Sequence, residues 1–475
     1  MIENIIGRKK EIALMESLKE SSKSEFLAVY GRRRVGKTFL IRQVFEEDFT
    51  FQLTGLANAK LQWQLANFYK ALVRQNPRNK NIKPATNWFD AFQELIDVLE
   101  LSKSEKKVIF LDELPWLDTP NSGFMTALEH FWNSWASARK DIILIVCGSA
   151  ASWMINKLLK NKGGLHNRIT QRCKLEPFNL GETEEFFKSK NAVLERYQIT
   201  QLYMTLGGIP YYLDVVDVAM SSYQNINKLF FEENAPLRIE FESLYESLFK
   251  KAQNHVAIIE ALSEKSSGMT REDLIKTTKI NNGGGTTTIL QELEECGFIR
   301  KYNSYGKNQR GNIYQLVDFY SLFYLKFVKN SSVFDETTWL NGVDNPAFRA
   351  WSGYAFEMVC LHHIPKIKEA LGISGIQTNT ATWYSTDKET KAQVDLLIER
   401  RDGIINLCEI KFSINSFVIT KKYSEELRNK IAVFKEQTKT KKTVFLTMIT
   451  SFGLQKNEYS NQLVQNSLTM DALFN

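Results

Sequence analysis

Three groups of residues in this sequence have the types and spacing that chemistry requires. The first is the stretch 30–40, YGRRRVGKTFL, in which Gly31 and Gly36 bracket four residues ahead of Lys37 and Thr38. It matches the phosphate-binding loop G-x-x-x-x-G-K-[ST] without a mismatch. The spacing has a physical cause. Glycines let the backbone wrap so that successive N–H groups face phosphate oxygens, and the helix that follows presents its positive end to the same anion. Gly31, Arg32, Arg33, Arg34, Val35, Gly36, Lys37, Thr38 and Phe39 are therefore the candidate nucleotide-binding set. Lys37 would reach the β- and γ-phosphates and the Thr38 hydroxyl would hold Mg²⁺. The competing reading is a turn that matches by chance. Against it, residues 25–30 (EFLAVY) are β-prone and residues 38–45 (TFLIRQVF) read as a helix.

The second group closes the run 107–113, KVIFLDE. Its apolar residues 108–111 predict a strand buried on both faces that ends in two acids. In phosphate-loop ATPases the first acid at such a strand end binds Mg²⁺ with the loop threonine, and the second polarises the attacking water. Asp112 and Glu113 fit those roles, against the plainer reading of solvated acids at a strand end. A further apolar run, 141–147 (DIILIVC), stops at Gly148. The next residue, Ser149, is either a strand-ending turn residue or a sensor lying between the water and the γ-phosphate. Arg168 is a candidate arginine finger, because a guanidinium facing the γ-phosphate stabilises charge as it develops. A surface arginine is the default.

The third group lies near the carboxyl end. Residues 394–398 and 404–410 read as adjacent strands of a hairpin around Asp402 and Gly403. Alternation sends Glu409 and Lys411 to one face, and cross-strand pairing can bring Asp395 beside them. Two carboxylates there would hold Mg²⁺ or Mn²⁺, and Lys411 would orient or deprotonate a water attacking phosphorus. Glu357, on the amphipathic helix predicted in 347–364, would complete the metal site. The alternative is a set of exposed strand residues, but an inward acid in LCEIKF without a function would be expensive. His362 and His363 are adjacent and point to different sides of a helix, so they read as structural.

The elements that must position these groups follow from the whole chain. Its 475 residues are too many for one core and suggest about three domains. With 43% apolar and 24% charged residues the chain can bury substantial cores, and its net charge of +7 is compatible with nucleic acid without demanding it. Five scattered cysteines show no zinc spacing or disulfide framework and fit a reducing cytoplasm. The amino terminus has charges where a signal peptide needs an apolar run. The most apolar windows, DIILIVCGSA and FYSLFYLKFV, are roughly half of a membrane span. A cytoplasmic protein with no membrane partner is expected.

Ahead of the phosphate loop, IIGRKKEIALMESLKE predicts a surface helix, and 88–101 predicts an amphipathic one. In 206–216, LGGIPYYLDVV, the glycines and proline mark a helix stop and turn. Residues 255–316 parse as helix, turn, helix, Gly-rich turn, third helix and a hairpin, with capping signals at Thr270 with Asp273 and at Thr286. This is the layout of a winged helix-turn-helix, whose third helix commonly enters the DNA major groove. Thr286 to Thr288 would open that helix, while Arg300, Lys301, Lys307 and Arg310 stud the wing. Glu292, Glu294 and Glu295 would repel phosphate, so DNA contact is expected through the wing and helix start, against a purely packing module. Residues 318–328 read as an aromatic core helix. Beyond Lys421, a basic helix and KKTVFLTMI supply a further strand of the last sheet.

Taken in order, GRKKE, GRRRVGKT, FLDELPWL, CGSA, LEPF and GGIPYYL resemble the archaeal-type AAA+ ATPases, relatives of the signalling (STAND) ATPases. The resemblance covers about the first half of the chain. It implies a P-loop α/β sheet with a small helical lid, ATP and Mg²⁺, and a sensor at Ser149. It also implies that GRKKE lies near the adenine and GGIPYYL in the lid; such families place the arginine finger variably, so Arg168 carries over least directly. The D…E-x-K string after a helical Glu resembles the PD-(D/E)xK, restriction-endonuclease-like nucleases, with Val394 in place of their proline. Archaeal-type ATPases often carry such a domain behind a winged helix.

The expected fold is thus α/β: a P-loop NTPase parallel sheet with a helical lid, then a winged helix-turn-helix, then an α/β restriction-endonuclease-like domain. Its expected parts are an ATPase core (1–175), a lid (176–245), a winged helix (246–318), a helical connector (319–344) and a nuclease-like domain (345–475). The expected function is ATP binding and hydrolysis coupled to DNA binding and metal-dependent DNA cleavage. The alternative is a nucleotide-dependent binding switch or DNA-binding regulator whose nuclease-like domain is a non-cleaving scaffold. DNA is the expected partner. AAA+ kinship adds homo-oligomers, and an unidentified protein partner stays open.

Overall fold

The computed structural model describes residues 5–76, 82–160, 163–165, 167–249, 251–303, 305–306, 312–331, 338–341, 345–385 and 392–474. Apolar runs build its first sheet: β1 (Glu25–Tyr30), β2 (Phe49–Thr54), β3 (Lys107–Asp112), β4 (Ile142–Gly148) and β5 (Gln171–Lys174). All pairings are parallel, in the order β2-β3-β4-β1-β5. Every residue of β3 and β4 is buried, as a parallel sheet covered on both faces demands. Helices Leu61–Gln75, Trp88–Leu101 and Phe124–Ser134 supply Phe68, Trp88, Phe92, Phe124 and Phe131 to one core with Phe26 and Phe51 of the sheet. Because β4 lies between β3 and β1, the carboxyl ends of all three strands meet at one edge. Ligands of open α/β sheets bind at such an edge.

Two compact units divide the chain, Met1–Pro177 and Phe178–Asn475. The second begins with helices Leu180–Ser189, Arg196–Leu206, Pro210–Asp214, Ser222–Phe230 and Glu240–Leu248. Gly207, at φ 70°, ends the second of these, and Pro210 opens the third. Helices Ala252–Ser263, Arg271–Thr278 and Gly284–Glu295 follow, with a small antiparallel sheet of β6 (Met269–Thr270), β7 (Ile299–Tyr302) and β8 (Ile313–Leu316) in the order β6-β8-β7.

Thr270 and Asp273 form a reciprocal capping box. Thr286 does not cap the next helix. That helix starts two residues earlier at Gly284, and the Thr286 hydroxyl donates to the Asn281 carbonyl at 2.6 Å. Glu292 on this helix is bound by His255 Nε2 at 2.8 Å. Lys301 is exposed, whereas Lys307 and Arg310 lie outside the described residues.

The last sheet comprises β9 (Thr378–Tyr384), β10 (Gln393–Arg400), β11 (Ile404–Lys411), β12 (Thr443–Thr450) and β13 (Val464–Thr469). Its order is β13-β12-β11-β10-β9, antiparallel from β9 to β11 and parallel from β11 to β13. Helix Lys421–Thr438 makes the crossover between β11 and β12. Helix Pro346–His362 stands before the sheet, and its Phe356 ring lies 5.2 Å from that of Phe412. The expected boundaries after residues 245, 318 and 344 all fall inside the second unit. There Tyr203 packs edge-on against both Phe319 and His363, and the Leu180 N–H donates to His363 Nε2 at 2.9 Å.

Candidate functional site

The phosphate loop joins β1 to helix Lys37–Phe45. Gly31 has φ 145°, and a Cβ there would sit 2.2 Å from the Leu175 carbonyl oxygen, so no other residue fits without displacement. Gly36 is left-handed at φ 89° and caps the helix. Lys37 is only 6% exposed. Its Nζ donates to the carbonyls of Gly31 (3.1 Å) and Arg32 (2.8 Å), so the ammonium pins the loop from inside. From the GRKKE segment, buried Arg8 donates through Nη2 to the Val35 carbonyl at 3.4 Å. Arg32 and Val35 are buried, and Arg33 and Arg34 are half-buried. The Phe39 ring is 57% exposed, which leaves its backbone as what it can offer an anion.

Across the edge, Thr38 Oγ1 lies 3.2 and 3.1 Å from the two carboxylate oxygens of buried Asp112. A hydroxyl and a carboxylate converging there are the hard oxygen donors that Mg²⁺ takes. Glu113 follows in a left-handed conformation, φ 49°, which turns its side chain off the strand line. Its Oε2 accepts from the Ser149 N–H at 3.1 Å and from Ser149 Oγ at 2.9 Å. Burial raises the Glu113 pKa above the usual carboxylate range, with the Ser149 amide and the Lys37 charge opposing. The Ser149 hydroxyl thus holds the acid expected to polarise the attacking water. Arg168 lies exposed in the turn before β5, its N–H on the Leu165 carbonyl at 3.1 Å, with no described bond to any of these groups.

In the second unit, β10 and β11 pair with Leu396 opposite Cys408, which sets Asp395 across from Glu409 one step further on. Buried Glu409 is 3% exposed. Its Oε2 accepts from Lys430 Nζ at 2.6 Å, and its Oε1 accepts from the Tyr423 hydroxyl at 2.6 Å and pairs with Lys411 Nζ at 3.0 Å. Burial alone would raise the Glu409 pKa, but Lys430 and then Lys411 carry it below the usual value. Burial, then the Asp395 charge, pushes the Glu357 carboxyl up to about 8. Burial, then Glu409, raises Asp395. The Asp395 carboxylate accepts from Gln393 Nε2 at 2.7 Å. Glu357 and Asp395 share a cavity of about 380 Å³ with Arg300, Tyr302 and Gln315 of β7 and β8.

Among the described residues no three His, Cys, Asp or Glu are grouped to hold a metal ion. A carboxylate as buried as Glu409 needs countercharge, and Lys430, Lys411 and Tyr423 already supply it. Glu357 and Asp395 remain a repelling acid pair with no described cation at ion-pair distance, which suits a divalent ion; Glu409 fits only if Lys430 gives way. Lys430 and Tyr423 were not singled out in the sequence, although their seven-residue spacing puts both on one helix face. His363 is structural: it is buried, which lowers its pKa to about 4, and its Nδ1 bonds the Val359 carbonyl at 2.7 Å, whereas His362 is exposed.

Residues 5–216 match the family described as an ATPase domain predominantly from Archaea. An uncharacterized protein of Methanocaldococcus jannaschii is 25% identical over 359 residues, 74% of this chain and 76% of that protein. Among solved structures the chain is similar to the Walker-type ATPase of Pyrococcus abyssi, at 18% identity, 68% of this chain, 96% of that one and a TM-score of 0.49. It is also similar to the ORC2 protein of Aeropyrum pernix in its ADPNP–ADP complexes, at 15% identity, 68% and 95% coverage and a TM-score of 0.41. Residues 5–216 thus contain an ATPase-type domain. Among the described residues no helix is long and apolar enough to cross a membrane.

Proposed function

We propose that the chain hydrolyses ATP at the Thr38, Asp112 and Glu113 edge, and that this turnover is coupled to DNA binding and metal-dependent DNA cleavage by the second unit. The observation that carries the ATPase reading is the convergence of the phosphate-loop hydroxyl with two acids at one sheet edge, 3.1–3.2 Å between Thr38 and Asp112. Lys37 exchanges its loop carbonyls for the β- and γ-phosphate oxygens. Mg²⁺ held by Thr38 and Asp112 would neutralise charge on those oxygens when bound. Glu113 accepts a proton from water as the water oxygen bonds to the γ-phosphorus, and the bond to the β–γ bridging oxygen breaks to release ADP. Ser149 holds Glu113 in register for that transfer.

Hydrolysis of a DNA phosphodiester would draw on Glu357 and Asp395 as holders of a divalent ion, which supplies Lewis acidity toward the phosphate. Lys411 orients the attacking water, whose oxygen replaces the departing sugar oxygen on phosphorus. Residues 246–318, whose described part includes helices Ala252–Ser263, Arg271–Thr278 and Gly284–Glu295 and a three-stranded sheet, are read as the winged helix that meets DNA. A second reading has its own support: Glu409 is already satisfied by Lys430, Tyr423 and Lys411, as suits a binding switch or DNA-binding regulator with a non-cleaving scaffold.

Steady-state ATP turnover and binding of a fluorescent ATP analogue test the ATPase part. Lys37→Ala is expected to lose binding. Glu113→Gln is expected to keep it while turnover falls by about 10²-fold or more. Wild-type turnover in Glu113→Gln would remove Glu113 from the reaction.

A further inference from the structure

Arg300 sits on β7, where a hairpin strand would ordinarily turn its charge to solvent. Here it is half-buried and lines the 380 Å³ cavity that also exposes Glu357 and Asp395. Its placement is built. Arg300 Nε–H donates to Gln315 Oε1 at 2.6 Å, and Gln315 is only 4% exposed. The Gln315 amide in turn donates to the Ser266 carbonyl at 2.6 Å and to the Tyr354 hydroxyl at 3.3 Å. The guanidinium carbon lies 4.6 Å from the centre of the Tyr302 ring.

A guanidinium has five N–H donors, and the described bond uses the one on Nε. Among the described residues no carboxylate lies at ion-pair distance from Arg300, although Asp395 and Glu357 line the same cavity. An arginine kept only for packing would close on one of those acids, since opposite charges at short range attract. Lys265 and Asp273 line the cavity as well, and the unpaired Arg300 together with the acid pair Glu357 and Asp395 are satisfied at once by an anion that bridges to those acids through a divalent ion.

We infer that Arg300 is a phosphate-binding residue of the carboxylate cavity, gripping a non-bridging oxygen of the DNA phosphodiester that faces Glu357 and Asp395. The inference rests on the nuclease reading above and adds to it a contact from β7. The segment read as a DNA-docking wing then forms one wall of the cleavage site. Arg is suited to this task by its planar fork, which meets two phosphate oxygens at once.

The test uses the full chain, a short fluorescein-labelled DNA strand and Ca²⁺ in place of Mg²⁺. Anisotropy reads the Ca²⁺-dependent part of binding, and a thermal melt accompanies each variant. Asp395→Ala is expected to abolish the Ca²⁺-dependent part. Arg300→Gln is expected to weaken it about tenfold, the loss of one charge-assisted contact, with the melting temperature held. Arg300→Lys, which keeps the charge and loses the fork, is expected to fall between the two. Asp395→Ala effective and Arg300→Gln indistinguishable from wild type would overturn the inference and leave the nuclease reading standing. Equal losses in Arg300→Gln and Arg300→Lys, each with a lowered melting temperature, would make Arg300 a packing joint and also overturn it. No effect of Asp395→Ala would remove the nuclease reading and this contact with it.

Discussion

Gly31→Ala puts the phosphate loop under a strain whose size the geometry allows to be worked out. At φ 145° an alanine occupies backbone space that L-residues rarely adopt, a cost of about 1–3 kcal/mol. Its Cβ would stand 2.2 Å from the Leu175 carbonyl oxygen, and Leu175 cannot easily retreat because its N–H is bonded to the Tyr30 carbonyl at 2.8 Å. Overpacking of this kind costs a further ~1–3 kcal/mol. The total of roughly 2–6 kcal/mol is a large part of the ~5–15 kcal/mol that holds a domain together. Relief by shifting the loop would displace the backbone N–H groups that face the phosphates, so ATP binding suffers with stability. Calorimetry and titration with a fluorescent ATP analogue should show a lowered melting temperature for the first unit and at least about tenfold weaker binding. Gly36→Ala is the internal control: nothing lies within 4 Å of a Cβ there, so only the strain of φ 89° applies and the stability loss should be smaller. Wild-type melting and ATP affinity in Gly31→Ala would refute the reasoning.

Asp141 accepts from Arg139 Nε and Nη2, each at 2.8 Å, and from buried Lys107 Nζ at 2.6 Å. Bonding from Arg139, then Lys107, holds its carboxyl well below the usual range. Its folded pKa being depressed, its contribution is present above the unfolded value of about 3.9 and is lost as pH falls through the folded one. Asp141→Asn should therefore cost about 2–3 kcal/mol in urea unfolding at pH 7, with the deficit shrinking below about pH 4. Lys430→Met removes the ammonium that occupies Glu409 at 2.6 Å, so terbium luminescence should report roughly tenfold tighter metal binding at the carboxylates. Weaker binding would mean that Lys430 assists the ion rather than competing with it.

What the sequence disclosed and what it hid divide along physical lines. β1, β3 and β4 were legible because parallel strands buried on both faces are unbroken apolar runs, and helix Trp88–Leu101 because its apolar stripe is wide. The Thr270–Asp273 capping box is a local bond and was legible for that reason. β2 (FTFQLT), β5 (QRCK) and β13 (VQNSLT) are partly polar edge strands, and nothing local separates them from loops. Thr286 misled because the glycines before it carry low helix propensity, yet the helix begins on them. In the acid cluster, Asp395, Glu409 and Lys411 follow from strand alternation and hairpin pairing. Tyr423 and Lys430 reach Glu409 across a crossover helix, which spacing within one strand cannot foresee. Arg300 shows the same limit: alternation gives β7 two faces but does not say which one another element covers.

The most direct measurement is cleavage of linear, circular and single-stranded DNA with Mg²⁺ or Mn²⁺, with and without ATP, for wild type, Asp395→Ala and Lys37→Ala. Metal-dependent cutting that is lost in Asp395→Ala and altered in Lys37→Ala is the predicted result. ATP hydrolysis with no cutting of any of these substrates would contradict it and leave the binding switch as the function.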